Sequence, residues 1–124
     1  MHIDHINIRA PAALMEAEKA FFCAILDLRE GERPDFGNQG YWLYSDDRAI
    51  VHLSLGNDDV ASQQTGYFDH VAFRSTGLKQ LTDRLAQAGI EYSSNFVGEH
   101  RMTQLFLRSP SGTGIEVNFI DESI

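Results

Sequence analysis

The chain has 124 residues, 43% of them hydrophobic and 23% charged, the size of one compact domain able to bury a core. Its formal net charge of −8 argues against a nucleic-acid phosphate surface, because such surfaces rely on clustered Lys and Arg. No apolar run approaches the ~20 residues that span a bilayer, and the N-terminal MHIDHINIRA lacks the order of a signal peptide, so a cytoplasmic protein without membrane contact is expected.

The first predicted element is a strand in IDHINIRA, residues 3 to 10. Pro11 suits the first turn of a helix, and Leu14, Ala17, Phe21, Ile25 and Leu28 recur at helical spacing as its buried stripe. Cys23, the single cysteine, lies in that pattern and reads as a small buried side chain, with no partner for an internal disulfide. Gly31 to Gly40, with Pro34, reads as a loop or irregular extended stretch. Strands follow at Tyr41-Trp42-Leu43 and at Ile50 to Leu55, and the polar, aperiodic GNDDVASQQTG from Gly56 to Gly66 is a linker.

Beyond the linker the pattern begins again. FDHVAFRS at 68 to 75 echoes IDHINIRA, with His5 and His70 standing 65 positions apart. Leu78, Leu81, Leu85 and Ala88 form a second helical stripe, closed by Gly89 at the C-cap. Leu105-Phe106-Leu107 and Gly114 to Phe119 match the earlier strands, placing Glu116 at an offset of 64 from His52. The chain therefore reads as one α+β domain of two repeated modules, about 1–57 and 66–124, each a strand, a helix and two or three further strands.

Strand alternation shows which way the polar residues point. Ile6 and Ile8 leave His5 and Asn7 on the opposite face, and Val71 and Phe73 do the same for His70 and Ala72. Val51, Leu53 and Leu55 oppose His52 and Ser54, while Ile115, Val117 and Phe119 oppose Glu116 and Asn118. A lone strand histidine is ordinarily a surface or satisfied core residue. Four ligand-type side chains at repeat-related positions on otherwise apolar strands instead suggest that His5, His52, His70 and Glu116 hold a divalent cation. His2 and His100 have no partner in the repeat and are expected to be exposed, His100 with a secondary reading as a substrate contact.

IDHINIRAP, VHLSL, FDHVAF and SPSGTGIEVNF resemble the paired modules of the vicinal oxygen chelate superfamily, which includes glyoxalase I, extradiol dioxygenases, fosfomycin-resistance transferases and bleomycin-binding proteins. The resemblance covers essentially the whole chain. It implies two βαβββ modules with curled mixed sheets that cup a metal, commonly in a homodimer. In swapped members the site is built across the dimer, so that His5 and His52 would meet His70 and Glu116 of a second copy.

By the same resemblance, His5, His70 and Glu116 match metal ligands, and His52 stands where glyoxalase I has a glutamate that is both ligand and base. Two histidines and one carboxylate are the facial set of Fe(II) oxygenases. This implies an enzyme acting on a small substrate with vicinal oxygens, by ring cleavage or by glyoxalase-like lyase or isomerase chemistry. His52 would be its base or fourth ligand, and Fe(II) or Mn its metal ahead of Ni or Zn. Fosfomycin transferases share the trio, but no basic phosphonate pocket is evident. The alternative is a metal-free, bleomycin-resistance-like binding protein with an acidic, aromatic groove. Trp42 and Tyr44 are candidates to line a pocket, although such aromatics are more often core. Arg9, Arg74 and Arg101 read as surface charge before anion contacts, and Tyr67 and Asn118 as partners for a ligand side chain.

Overall fold

The computed structural model describes residues 1–57, 68 and 70–124. The predicted linker beyond Asn57, and Tyr67, lie outside the described residues. The chain divides into two compact units, Met1–Gln64 and Thr65–Ile124.

In the first unit β1 (Ile6–Ala10) leads into α1 (Ala12–Ala24), followed by β2 (Arg29–Gly31), β3 (Gly40–Ser45) and β4 (Arg48–Leu55). The sheet order is β1-β4-β3-β2, with β1 parallel to β4 and the other pairs antiparallel. Parallel pairing needs a crossover, and α1 supplies it while packing on all four strands. Ala10, Leu43, Val51 and Leu53 are buried, as alternation requires. The opposite face carries the cross-strand row Asn7, His52 and Trp42.

The stripe of α1 differs from its sequence reading. Met15, Glu18, Phe21 and Phe22 are its buried residues, Ala17 is exposed and Leu14 is half-buried. The helix has apolar residues around most of its circumference, so periodicity alone leaves its rotation undetermined, and a buried Glu18 runs against any hydrophobic pattern. Pro11 occupies the N-cap, with its carbonyl accepting from the Met15 N–H at 2.8 Å.

The second unit repeats the order: β5 (His70–Ser75), α2 (Leu78–Ala88), β6 (Ser93–Val97), β7 (Met102–Arg108) and β8 (Gly114–Ile120). Its sheet runs β5-β8-β7-β6, with β5 parallel to β8. Leu105, Leu107, Ile115, Val117 and Phe119 are buried, as are Leu78, Leu81 and Leu85 of α2, whereas Ala88 is exposed. Gly89 closes α2 in the left-handed region at φ 67°, which a glycine adopts without steric cost. Gly77, at the other end of α2, has no side chain to cap it. The Glu122 carboxylate does so instead, accepting the N–H groups of Gly77 and Leu78 at 2.9 and 2.7 Å.

The architecture is thus two four-stranded mixed sheets with one helix each. β2 and β6 complete the three-strand complement of each module. Among the described residues no helix is long and apolar enough to cross a membrane.

Candidate functional site: two paired sets of ligand-type side chains

In the first unit, strand pairing sets Trp42 directly opposite His52. Their rings stack at a centroid distance of 4.2 Å, 10° from parallel. His5, immediately before β1, stacks on the other side of His52 at 3.7 Å and 13°. His52 Nε2 lies 3.1 Å from the Ala49 carbonyl, so a neutral ring donates there and keeps its Nδ1 lone pair. His5 Nδ1 lies 2.6 Å from Asp4 Oδ2, which leaves Nε2 as the lone-pair nitrogen. Each ring therefore has its tautomer set by an oxygen acceptor, the arrangement by which outer partners orient metal-binding imidazoles. The His5 hydrogen bond holds the Asp4 carboxyl below its usual range. Burial, reinforced by the neighbouring His5, lowers the pKa of His52, with the Ala49 carbonyl acting the other way.

These two rings lie against a cavity of about 480 Å³ lined also by Arg33, Phe36, Asn38 and Trp42. Arg33, Phe36 and Asn38 come from the stretch left undefined by sequence reading. Arg33 donates to the carbonyl and side-chain oxygens of Asn38 at 3.0 and 3.1 Å and lies against the Phe36 ring. Gly40 is required here, because a Cβ would stand 2.3 Å from the Leu53 carbonyl oxygen. Trp42 thus faces a cavity, whereas Tyr44 covers Gly31, where a Cβ would meet its ring at 2.6 Å.

In the second unit His70 opens β5 and Glu116 sits mid-β8, two residues along in the parallel register and so on the same face. His70 Nε2 and Glu116 Oε2 are 2.9 Å apart, and Glu116 is only 7% exposed. Gln104 donates to the other carboxylate oxygen at 2.8 Å. Asn118 follows on the same face, its Oδ1 buried without a hydrogen bond. A buried carboxylate persists where it is paired and hydrogen-bonded, and His70 and Gln104 meet that condition.

The two pairs differ in their fit to a metal. Donor atoms each about 2.1 Å from one divalent cation, at right angles, are about 3 Å apart. The His70–Glu116 separation is that of a hydrogen-bonded pair and falls at the same spacing. The stacked His5 and His52 rings hold their in-plane lone pairs in separate, nearly parallel planes, so both can address one ion only after one ring turns. His5, outside the strand and with its side chain 39% exposed, is the ring with room to do so. Among the described residues no group of three or more His, Cys, Asp or Glu side chains is arranged to hold a metal ion. Sequence reading did not foresee the His5–His52–Trp42 stack or the Gln104 partner of Glu116.

The remaining candidates behave as ordinary surface groups. His2, His100, Arg9 and Arg74 are exposed. Arg101 pairs with Asp121 at the surface, with Nε 2.9 Å from Oδ1. Cys23 is half-buried, and that burial pushes its thiol pKa up, which suits an inert thiol.

Two βαβββ modules, each bearing ligand-type groups at matching strand positions, define the glyoxalase-like fold class. The chain belongs to the Glyoxalase/Bleomycin resistance protein/Dioxygenase superfamily, whose family model matches residues 2–117. Among solved structures it is similar to a putative glyoxalase family protein from Bacillus anthracis, with 20% identity and a TM-score of 0.72 over 97% of this chain and 95% of that one. A glyoxalase/dioxygenase from Nostoc punctiforme gives 18% identity and a TM-score of 0.72, covering 98% and 92%. A mutant of the fosfomycin resistance protein FosX from Listeria monocytogenes, solved with Mn(II) and 1S,2S-dihydroxypropylphosphonic acid, gives 13% identity and 0.72, covering 96% and 92%. At these identities the likeness is one of fold. No curated protein gives a significant sequence match.

Proposed function

We propose that this protein is a divalent-metal-dependent enzyme acting on a small substrate with adjacent oxygen atoms. The observation that carries the reading is the His70–Glu116 pair, whose donor atoms sit 2.9 Å apart at a buried carboxylate. His5 completes the ligand set and His52 is the fourth ligand or the base, supplied by the same chain or by a second copy in a homodimer. Fe(II) or Mn(II) suits two imidazoles and a carboxylate, and Mn(II) is the ion found with the FosX relative. Ni and Zn are the lesser candidates. When bound, the metal supplies Lewis-acid chelation of two vicinal oxygens.

The chain's own groups do the rest. Glu116 and His70 present oxygen and nitrogen to a common point. His52 keeps Nδ1 as a lone-pair nitrogen, and its lowered pKa keeps it unprotonated at neutral pH, as a base for a substrate hydroxyl must be. Trp42 and Phe36 give the first-unit cavity beside His52 an apolar wall suited to a planar or aliphatic body. Ring cleavage of a catechol-type substrate and glyoxalase-like lyase or isomerase chemistry are both compatible with this donor set. The absence of a carboxylate at position 52 weighs against the glyoxalase I mechanism.

A metal-free binding protein of the bleomycin-resistance kind is the second reading, favoured by the His5–His52–Trp42 stack beside an aromatic-walled cavity. Loading apo protein with Fe(II) or Mn(II) under anaerobic conditions, then following oxygen uptake with catechols and product formation in lyase and isomerase screens, separates the two. The enzyme reading expects turnover that His52→Gln abolishes, with metal affinity kept where His52 is the base and weakened where it is the fourth ligand. Tight ligand binding with no metal uptake and no turnover would establish the second reading.

A further inference from the structure

Gln104 and Asn95 stand outside the ligand set, yet they form a chain of side-chain amides that ends on Glu116. Gln104 Nε2 donates to Glu116 Oε1 at 2.8 Å, and Asn95 Nδ2 donates to Gln104 Oε1 at 2.9 Å. Strand register creates the chain. β6 places Asn95 opposite Gln104, while β8 places Asn118 opposite Gln104 and Glu116 opposite Phe106, so Gln104 reaches Glu116 on the diagonal of one sheet face.

The chain also has a direction. A carboxamide has one donor end and one acceptor end of nearly equal shape, and its hydrogen bonds decide which way it points. Asn95 occupies the acceptor end of Gln104, so the donor end must face Glu116. The carboxylate is almost fully buried, which leaves little water to compete for Oε1. An unrestrained carboxylate presents either oxygen to a cation, whereas this one has Oε1 committed to Gln104 and Oε2 turned to His70. The repeat sharpens the point, since the counterpart of Gln104 in the first module, 64 positions earlier, is Gly40, which has no side chain to reach His52. The relay belongs to the second module alone.

We propose that Gln104, itself held by Asn95, is a positioning residue that fixes Glu116 so that Oε2 and His70 Nε2 address one divalent cation. This rests on the reading of His70 and Glu116 as metal ligands. Supporting groups of this kind typically change metal affinity by about 10- to 100-fold.

The test is calorimetric titration of the full-length apo chain with Mn(II), for wild type, Gln104→Met, Asn95→Ala, their double variant and Glu116→Ala. Urea unfolding in chelator confirms that each is folded. Gln104→Met should lose about 10- to 100-fold in Mn(II) affinity and Asn95→Ala a smaller factor. The double variant should bind no more weakly than Gln104→Met, because Asn95 acts only through Gln104. A general loosening of the sheet would not produce that non-additivity. If Gln104→Met does not fold, Asn95→Ala, on an exposed strand position, carries the test. Variants that bind like wild type while Glu116→Ala loses Mn(II), or strictly additive losses, would overturn the relay and leave the ligand set standing. Equal binding by wild type and Glu116→Ala would overturn both.

Discussion

Replacing Glu122 should destabilise the protein from a position far along the chain from the helix it serves. The Glu122 carboxylate takes the first two N–H groups of α2, from Gly77 and Leu78, at 2.9 and 2.7 Å. Gly77 sits at φ 85° and offers no side-chain cap, so in Glu122→Ala only solvent replaces these bonds. Loss of an N-terminal cap costs about 0.5–2 kcal/mol, and loss of a negative charge beside the helix dipole adds roughly 0.3–1 kcal/mol. Because Glu122 is only part-buried, water recovers some of this, and about 2 kcal/mol is the expected total. Glu122→Gln keeps one acceptor without the charge and should cost about half as much. Urea unfolding followed by circular dichroism measures both, as midpoint shifts at unchanged slope. A shift equivalent to less than about 0.5 kcal/mol in Glu122→Ala would show that α2 does not depend on this cap.

Other consequences follow from close packing and from charge. Gly40→Ala forces a Cβ to within 2.3 Å of the Leu53 carbonyl oxygen. The β3–β4 ladder must then shift, and a loss of about 1–3 kcal/mol is expected by the same unfolding assay. The folded pKa of His52 lies below that of the unfolded chain, so its contribution to stability is fully present above about pH 6.5. It is lost as pH falls from there through the folded value, because the unfolded chain takes up the proton first. In the metal-free protein, His52→Gln should therefore flatten the decline in stability below neutrality, and an unchanged decline would refute the assignment.

Much of the fold was legible because the chain states its pattern twice. IDHINIRA and FDHVAFRS, each followed by a helical stripe and alternating strands, make the order of the elements and the facing of His52, His70 and Glu116 legible from backbone periodicity, whereas His5 falls just before β1. Where a segment was apolar on every side the logic failed, as in α1, whose rotation buries Met15 and Glu18 while leaving Ala17 exposed. Short or polar strands such as Arg29–Gly31 and Ser93–Val97 lack alternation and are held by pairing with β3 and β7. The His5–His52–Trp42 stack, the Asn95–Gln104–Glu116 relay and the Glu122 cap all depend on which residues pairing and chain reversal bring together. One-dimensional spacing does not encode that information, and Gln104 carries no local signal that separates it from an ordinary strand residue.

The central claim, that His70 and Glu116 hold a divalent cation, is tested most directly by metal content. Wild type and Glu116→Ala would be purified anaerobically and their metal measured per subunit before and after reconstitution with Fe(II) or Mn(II). Near-stoichiometric iron or manganese in the wild type, lost in the variant, is the expected result. A wild type that takes up no metal even after reconstitution, or a variant that retains it fully, would contradict the account.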